Sequence, residues 1–202
     1  MIGLENYYWC FKKALPKNVC EDIIKLGNSV EKQKGVVQGQ VDGEFKQADN
    51  VRKSHISWLD DPWIYDQINP YVHTANKNAN WNFDWDWSET MQFTNYGPGQ
   101  FYSWHADDSN KPFGKNHHPN YQNKIRKISV TVNLSDPLSY TGGELELDYR
   151  NNKEGRNIVS IDEGKEQGSI IVFPSFVTHQ VREVRSGKRE SLVVWNLGPP
   201  WK

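Results

Sequence analysis

Neither a strong charge of one sign nor a long apolar run marks this 202-residue chain. Its 24 basic and 25 acidic residues leave a formal net charge of -1. That balance supplies no broad cationic surface for a nucleic-acid backbone and no polybasic patch for a membrane. No stretch approaches the roughly 18 consecutive apolar residues of a spanning helix. The opening MIGLENYYWCFKKALPKNVC has neither a basic start followed by an apolar run nor a small-residue cleavage site, so a cytoplasmic location is expected. Cysteine is scarce: Cys10 and Cys20 are the whole complement, in no metal-binding spacing. Two reduced, semi-buried thiols are expected rather than a disulfide. There is no internal repeat or low-complexity tract, and the stretch from Gly164 to Gly168 lacks the Gly-Lys-Ser/Thr ending of a phosphate loop.

Aromatic residues, by contrast, make up 13% of the chain, enough to fill a sizeable core. The length suits one all-β domain with additions, covering residues 1–202. Residues 17–30 carry apolar side chains on one helical face, with start signals at Pro16 and Asn18. A second helix is predicted after Asp61-Pro62, with Asp61 able to cap it and Pro70 expected to kink or divide it. Residues 31–54 read as an excursion or weak strands. From Trp81 the period becomes two: Trp81, Phe83, Trp85 and Trp87 alternate with polar residues, a stripe read as core. Strands are predicted over 81–95, 100–107, 126–134, 143–149, 156–161, 168–173, 179–184 and 189–196, separated by Gly, Pro and Asp turns. The expected fold is mainly β with N-terminal helices: a helical support region over 1–80 and a double-stranded β-helix, or cupin-like jelly roll, over 81–202.

Within QFYSWHADDS, His105 stands beside Asp107 and Asp108. Composition alone predicts roughly 0.7 His-x-(Asp/Glu) triplets in this chain, so the triplet by itself decides nothing. Strand alternation puts His105 and Asp107 on one face and Asp108 on the other. A third ligand is offered by His179, at the head of HQVREV. Two histidines and one carboxylate are the facial triad of non-haem Fe(II) oxygenases. Ten residues beyond His179, Arg189 opens the next strand, where a guanidinium could grip the far end of a dicarboxylate. The neighbouring Arg182, Arg185 and Lys188 read as a solvated turn, and His117-His118 as a solvated loop able to serve as a lid.

The ordered segments QFTNYGPGQFYSWHADD, RKISVTVNLSDPLSYTGGELEL and GSIIVFPSFVTHQVREVRSGKRESLVVW resemble the 2-oxoglutarate and Fe(II)-dependent dioxygenases, in their prolyl 4-hydroxylase branch. They cover most of residues 90–196. The resemblance implies that His105, Asp107 and His179 are the catalytic iron ligands, that Arg189 binds the 2-oxoglutarate C5 carboxylate, and that Tyr96 lines the cosubstrate pocket. It also implies substrate contacts from Arg126 and Trp195, with Tyr102 fitting the pattern; Trp195 reads equally as core. Where the oxygen-sensing members have a tyrosine, this chain has Asn133, so Thr131 or Asn133 is expected to substitute. The implied reaction is hydroxylation of a prolyl residue in a protein or peptide, using Fe(II), dioxygen and 2-oxoglutarate, with room for ascorbate. The same iron site would serve a free amino acid, another side chain or a small metabolite. Alkylated nucleic acid fits less well, because ESLVVWNLG lacks the second arginine of the repair enzymes. A metal-free jelly-roll binding module would have no need of the three ligands and the arginine together.

Overall fold

Two-residue alternation in the central strands sends side chains to two different covers. In the strand Ile170–Pro174, Ile170 and Val172 enter one hydrophobic cluster while Ile171 and Phe173 enter another. In Ile125–Asn133, Ile128, Val130 and Val132 join the first cluster, and Ser129 and Thr131 take the opposite face. Arg189–Gly198 repeats the division, with Leu192 and Val194 on the first face. The first cluster is closed by helix α1 (Lys17–Ser29), through Cys20 and Ile23, and helix α2 (Pro62–Asn78), through Ile64, Ile68, Val72 and Ala75. The second cluster mixes residues of two facing sheets, among them Tyr96, Ile171 and Phe173 from one and Leu145, Leu147 and Val181 from the other.

In this computed structural model, residues 4–35, 37–38, 45–46, 50–108, 111–149, 155 and 157–201 are described. The larger antiparallel sheet has the order Trp9–Phe11, Ile170–Pro174, Ile125–Asn133, Arg189–Gly198, Met91–Tyr96, His55–Leu59 and Gln33–Lys34, and Trp87–Ser88 also pairs with Arg189–Gly198. The smaller sheet runs Ile158–Ser160, Leu145–Asp148, Thr178–Val181, Phe101–His105 and Arg52–Lys53. Two-stranded pairs join Tyr140–Gly142 to Val184–Gly187 and Val37–Gln38 to Phe45–Lys46. This is the expected jelly roll with its helical backing. No helix among the described residues is long and apolar enough to cross a membrane.

Several elements depart from the sequence reading. The stretch 81–95 is not one strand; only Trp87–Ser88 and Met91–Tyr96 enter the ladder. Before them, the amides of Trp81 and Asn82 donate to the Asn76 carbonyl at 3.1 and 3.2 Å, and the Phe83 amide donates to Asn76 Oδ1 at 2.9 Å. Those bonds wind the segment against the end of α2, while Trp81, Phe83 and Trp85 still pack on the first cluster. Helix α2 runs undivided through Pro70, because the buried stripe continues on both sides of it. Asp61 occupies the N-cap without a side-chain capping bond. The expected strand 179–184 is split between two sheets, and His55–Leu59 is a strand that was not anticipated. Of the 31–54 excursion, residues 36, 39–44 and 47–49 lie outside the described residues.

Cys10 and Cys20 are both free. Burial pushes each thiol up to about 11. A raised thiol pKa leaves little thiolate at pH 7–8, so iodoacetamide should label both slowly in the native protein and rapidly in urea; rapid native labelling would contradict this packing. Close approach governs one glycine of α1: a Cβ at Gly27 would lie 2.4 Å from Cδ1 and Cγ of Phe93. Gly27→Ala is therefore expected to lower stability in urea unfolding by about 1–3 kcal/mol despite alanine's better helix propensity.

Candidate active site

The two histidines are brought together by register. His105 ends its strand directly opposite His179 in the smaller sheet, and their rings lie 4.2 Å apart between centroids. Asp107 stands beyond the strand end, so alternation does not place it. Instead the amides of Asp107 and Asp108 both donate to the Ser175 carbonyl, at 2.9 and 3.0 Å. This turn aims Asp107 at the histidines, with Oδ1 3.7 Å from His105 Nε2 and Oδ2 3.6 Å from His179 Nε2. One ligand atom from each of the three residues lies within 4.8 Å of the others, and no other such group of His, Cys, Asp or Glu occurs among the described residues. Asp108 is buried nearby but stands outside this group.

Several features suit the three residues to a metal. His105 Nδ1 lies 2.7 Å from the Ser103 carbonyl, and His179 Nδ1 lies 3.0 Å from the Val177 carbonyl. A carbonyl only accepts, so each Nδ1 carries a proton, and Nε2 is the ring atom that each histidine turns toward Asp107. Burial, with His179 alongside, pushes the His105 imidazole down to about 3, which keeps it neutral. For Asp107 burial opposes ionisation, yet His179, His105, Arg126 and the Ser129 hydroxyl hold its carboxyl below the usual carboxylate range. Two imidazole nitrogens and one carboxylate are the donor set of a non-haem Fe(II) centre.

Two cavities meet at this triad. The inner one, about 40 Å³, is lined by Tyr96, Thr131, Arg189 and Ser191 among others, with mostly apolar walls. Arg189 is buried, donates from Nη1 to Ser191 Oγ at 3.1 Å, and lies 5.6 Å from the Tyr96 ring. Its stem passes so close to Gly143 that a Cβ there would sit 2.8 Å from Arg189 Cδ. The outer cavity, about 550 Å³, is walled by Trp58, Tyr102, Phe113, Tyr121, Arg126 and Trp195. Gln92, Tyr102, His105 and Asp107 line both.

The outer wall is built around one largely buried ion pair. Arg126 donates from Nε and Nη2 to the two carboxylate oxygens of Glu89, at 2.5 and 2.7 Å, and its guanidinium lies over Trp195 at 4.0 Å. Burial disfavours the charged guanidinium, but Glu89 more than offsets this and raises the Arg126 pKa. Tyr102 stacks on His105 with centroids 3.6 Å apart and carries the Arg52 guanidinium at 4.5 Å. Burial pushes its phenol up to about 12, so it stays protonated.

The structure thus gathers His105, Asp107, His179, Arg189, Tyr96, Tyr102, Arg126 and Trp195 around two cavities that share a wall. Thr131 lines the inner one, whereas Asn133 is spent on the carbonyls of Ser135 and Lys165. His117 borders the outer cavity from its exposed loop. Sequence reasoning missed Glu89, Ser129, Gln92 and Arg52. For Ser129 a signal existed: in ISVTVN the polar residues occupy the face opposite the apolar ones.

This fold and donor set define a double-stranded β-helix of the metal-dependent oxygenase type, and comparison with known proteins agrees. The family profile described as the 2OG-Fe(II) oxygenase superfamily matches residues 91–196, and the chain belongs to that superfamily. Similar curated proteins include a PKHD-type hydroxylase of Pseudoalteromonas atlantica, 31% identical over 105 residues, which are 52% of this chain and 41% of the relative. Another, from Cupriavidus metallidurans, is 33% identical over 104 residues, 51% of this chain and 40% of the relative. The matched stretch therefore spans about two fifths of these relatives' length. Among solved structures, the viral collagen prolyl hydroxylase of Paramecium Bursaria Chlorella virus-1, in a 2OG complex, superposes with a TM-score of 0.66 at 18% identity, covering 96% of this chain and 97% of that one. A Pseudomonas putida prolyl-4-hydroxylase gives 0.64 at 17% identity, covering 95% and 93%.

Removing Glu89, itself buried, would strand a largely buried guanidinium. Glu89→Ala is expected to destabilise the protein by about 3–5 kcal/mol in urea unfolding, more than an exposed ion pair would cost. A loss under about 1 kcal/mol would mean that the pair is effectively solvated.

Proposed function

We propose that this chain is a 2-oxoglutarate- and Fe(II)-dependent dioxygenase that hydroxylates prolyl residues in a protein or peptide. The observation that carries the proposal is the meeting of a narrow inner cavity and a broad outer one at a single His-Asp-His group. A reaction coupling a small dicarboxylate to a second, larger substrate needs two such compartments sharing one metal. In this reading His105, Asp107 and His179 hold Fe(II), and Arg189 receives the C5 carboxylate of 2-oxoglutarate, with Ser191, Thr131 and the Tyr96 ring completing the inner wall. The bound iron supplies dioxygen activation, spending 2-oxoglutarate to succinate and carbon dioxide while one oxygen atom enters a substrate C–H bond.

The chain's own part is positioning and dryness. Half-buried Tyr102, stacked on His105, and the apolar lining limit water at the junction, and the Nδ1 bonds to Ser103 and Val177 fix both imidazoles. Arg126, neutralised by Glu89 and braced on Trp195, presents a flat platform beside the reacting position. A cavity of 550 Å³ with tryptophan and tyrosine walls suits a segment of extended peptide better than a free amino acid. The peptide reading also draws support from a similar fold solved in complex with a hypoxia inducible factor peptide, the prolyl hydroxylase of Trichoplax adhaerens, at TM-score 0.64 and 17% identity. Residues 1–202 as one dioxygenase domain, and a cytoplasmic setting, belong to the same proposal.

Arg189→Ala should weaken 2-oxoglutarate binding by about 2–5 kcal/mol while leaving metal affinity nearly unchanged, because one charged partner is removed from a buried cavity. Equal loss of both would indicate a collapsed site. Screening proline-containing peptides for stimulated succinate release, followed by fragmentation, should place a 16 Da gain on proline. A gain confined to other residues or to free amino acids would replace the prolyl assignment.

A further inference from the structure

Ser129 and Ser175 are wholly buried, and their paired hydroxyls have no part in the proposed function as stated. Ser129 comes from the middle of the larger sheet, and Ser175 from just past the end of the neighbouring strand. Ser129 Oγ lies 2.6 Å from Asp107 Oδ2 and 2.9 Å from Ser175 Oγ. An ionised carboxylate only accepts, so the single Ser129 proton goes to Asp107. The Ser129 hydroxyl also has Ser175 Oγ within donating reach, but the charged carboxylate is the nearer acceptor, and Ser175 holds the Ser129 oxygen beside it.

Ser175 also controls the backbone of the same ligand. Its carbonyl accepts the amides of Asp107 and Asp108, and its own amide donates to the Lys127 carbonyl at 3.0 Å. One residue therefore sets both where Asp107 leaves the strand and, through Ser129, how its carboxylate is turned.

We propose that the Ser129 hydroxyl, held in place by Ser175, is a positioning device that fixes Asp107 as a one-oxygen metal ligand, by occupying Oδ2 and leaving Oδ1 for the ion. The inference rests on the metal-site reading above. A carboxylate free to turn could offer both oxygens and consume a coordination position that the dicarboxylate and dioxygen require. Ser129 and Ser175 touch neither cavity's contents, so their effect passes through Asp107 alone.

The test is anaerobic titration of the metal-free protein with Co(II), read by affinity and by the visible absorption spectrum, with near-UV circular dichroism reporting the fold. Ser129→Ala is expected to weaken Co(II) binding about 10–100-fold and to change the spectrum. Ser175→Ala, which leaves the backbone bonds in place, should weaken binding less. The double variant should be no weaker than Ser129→Ala alone and share its spectrum, because Ser175 acts only through Ser129. Additive losses, or a wild-type spectrum in Ser129→Ala, would overturn the positioning role of the two serines while leaving the metal site standing. Failure of the wild-type protein to bind Co(II) would overturn the metal site and that role with it.

Discussion

Each strand of the larger sheet that supplies the site has one face held by the helices, and that anchoring makes the other face usable. Ile128, Val130, Val132, Leu192, Val194, Met91 and Phe93 are locked beneath α1 and α2. The register of their strands is then fixed, since a one-residue slip would expose the whole apolar set. Ser129, Thr131, Arg189, Ser191 and Trp195 inherit that register on the opposite face. Ser129 and Arg189, polar groups that would be costly to bury at random, emerge where a partner already waits, Asp107 for the one and Ser191 for the other.

The electrostatics follow the same economy of placement. The charged groups near the reacting position are handled locally: Glu89 against Arg126, Ser129 against Asp107, and a carbonyl behind each imidazole. With Glu89 taking the charge of Arg126, the guanidinium acts through its flat surface on Trp195 as much as through its charge. The inner cavity keeps Arg189 as its cation, surrounded by apolar walls that strengthen its field.

Residue type and order made the triad and the arginine readable from sequence, because histidines are few and the intervening strands have clear periods. The choice of Asp107 over Asp108 came from parity along a strand, yet the strand stops at His105 and the Ser175 carbonyl does the aiming. The Trp81 to Trp87 stripe had the rhythm of a strand, but Asn76 captured its backbone; side-chain capture of this kind leaves no periodic trace. Glu89 and Gln92 were invisible for a related reason. They are ordinary polar residues whose partners lie tens of positions away, and only cross-strand register brings the pairs together.

The direct opposition of His105 and His179 has a consequence for how such a protein can change. The two imidazoles are tied by a hydrogen-bonded ladder, while most of the cleft's outer rim belongs to separate loops and to the opposite sheet. Insertions or substitutions in the loop bearing Phe113, His117 and Tyr121 can remodel what is recognised without altering the spacing of the two donors. Recognition and chemistry are mechanically decoupled, and a lineage could exchange one target for another while its reaction stayed the same.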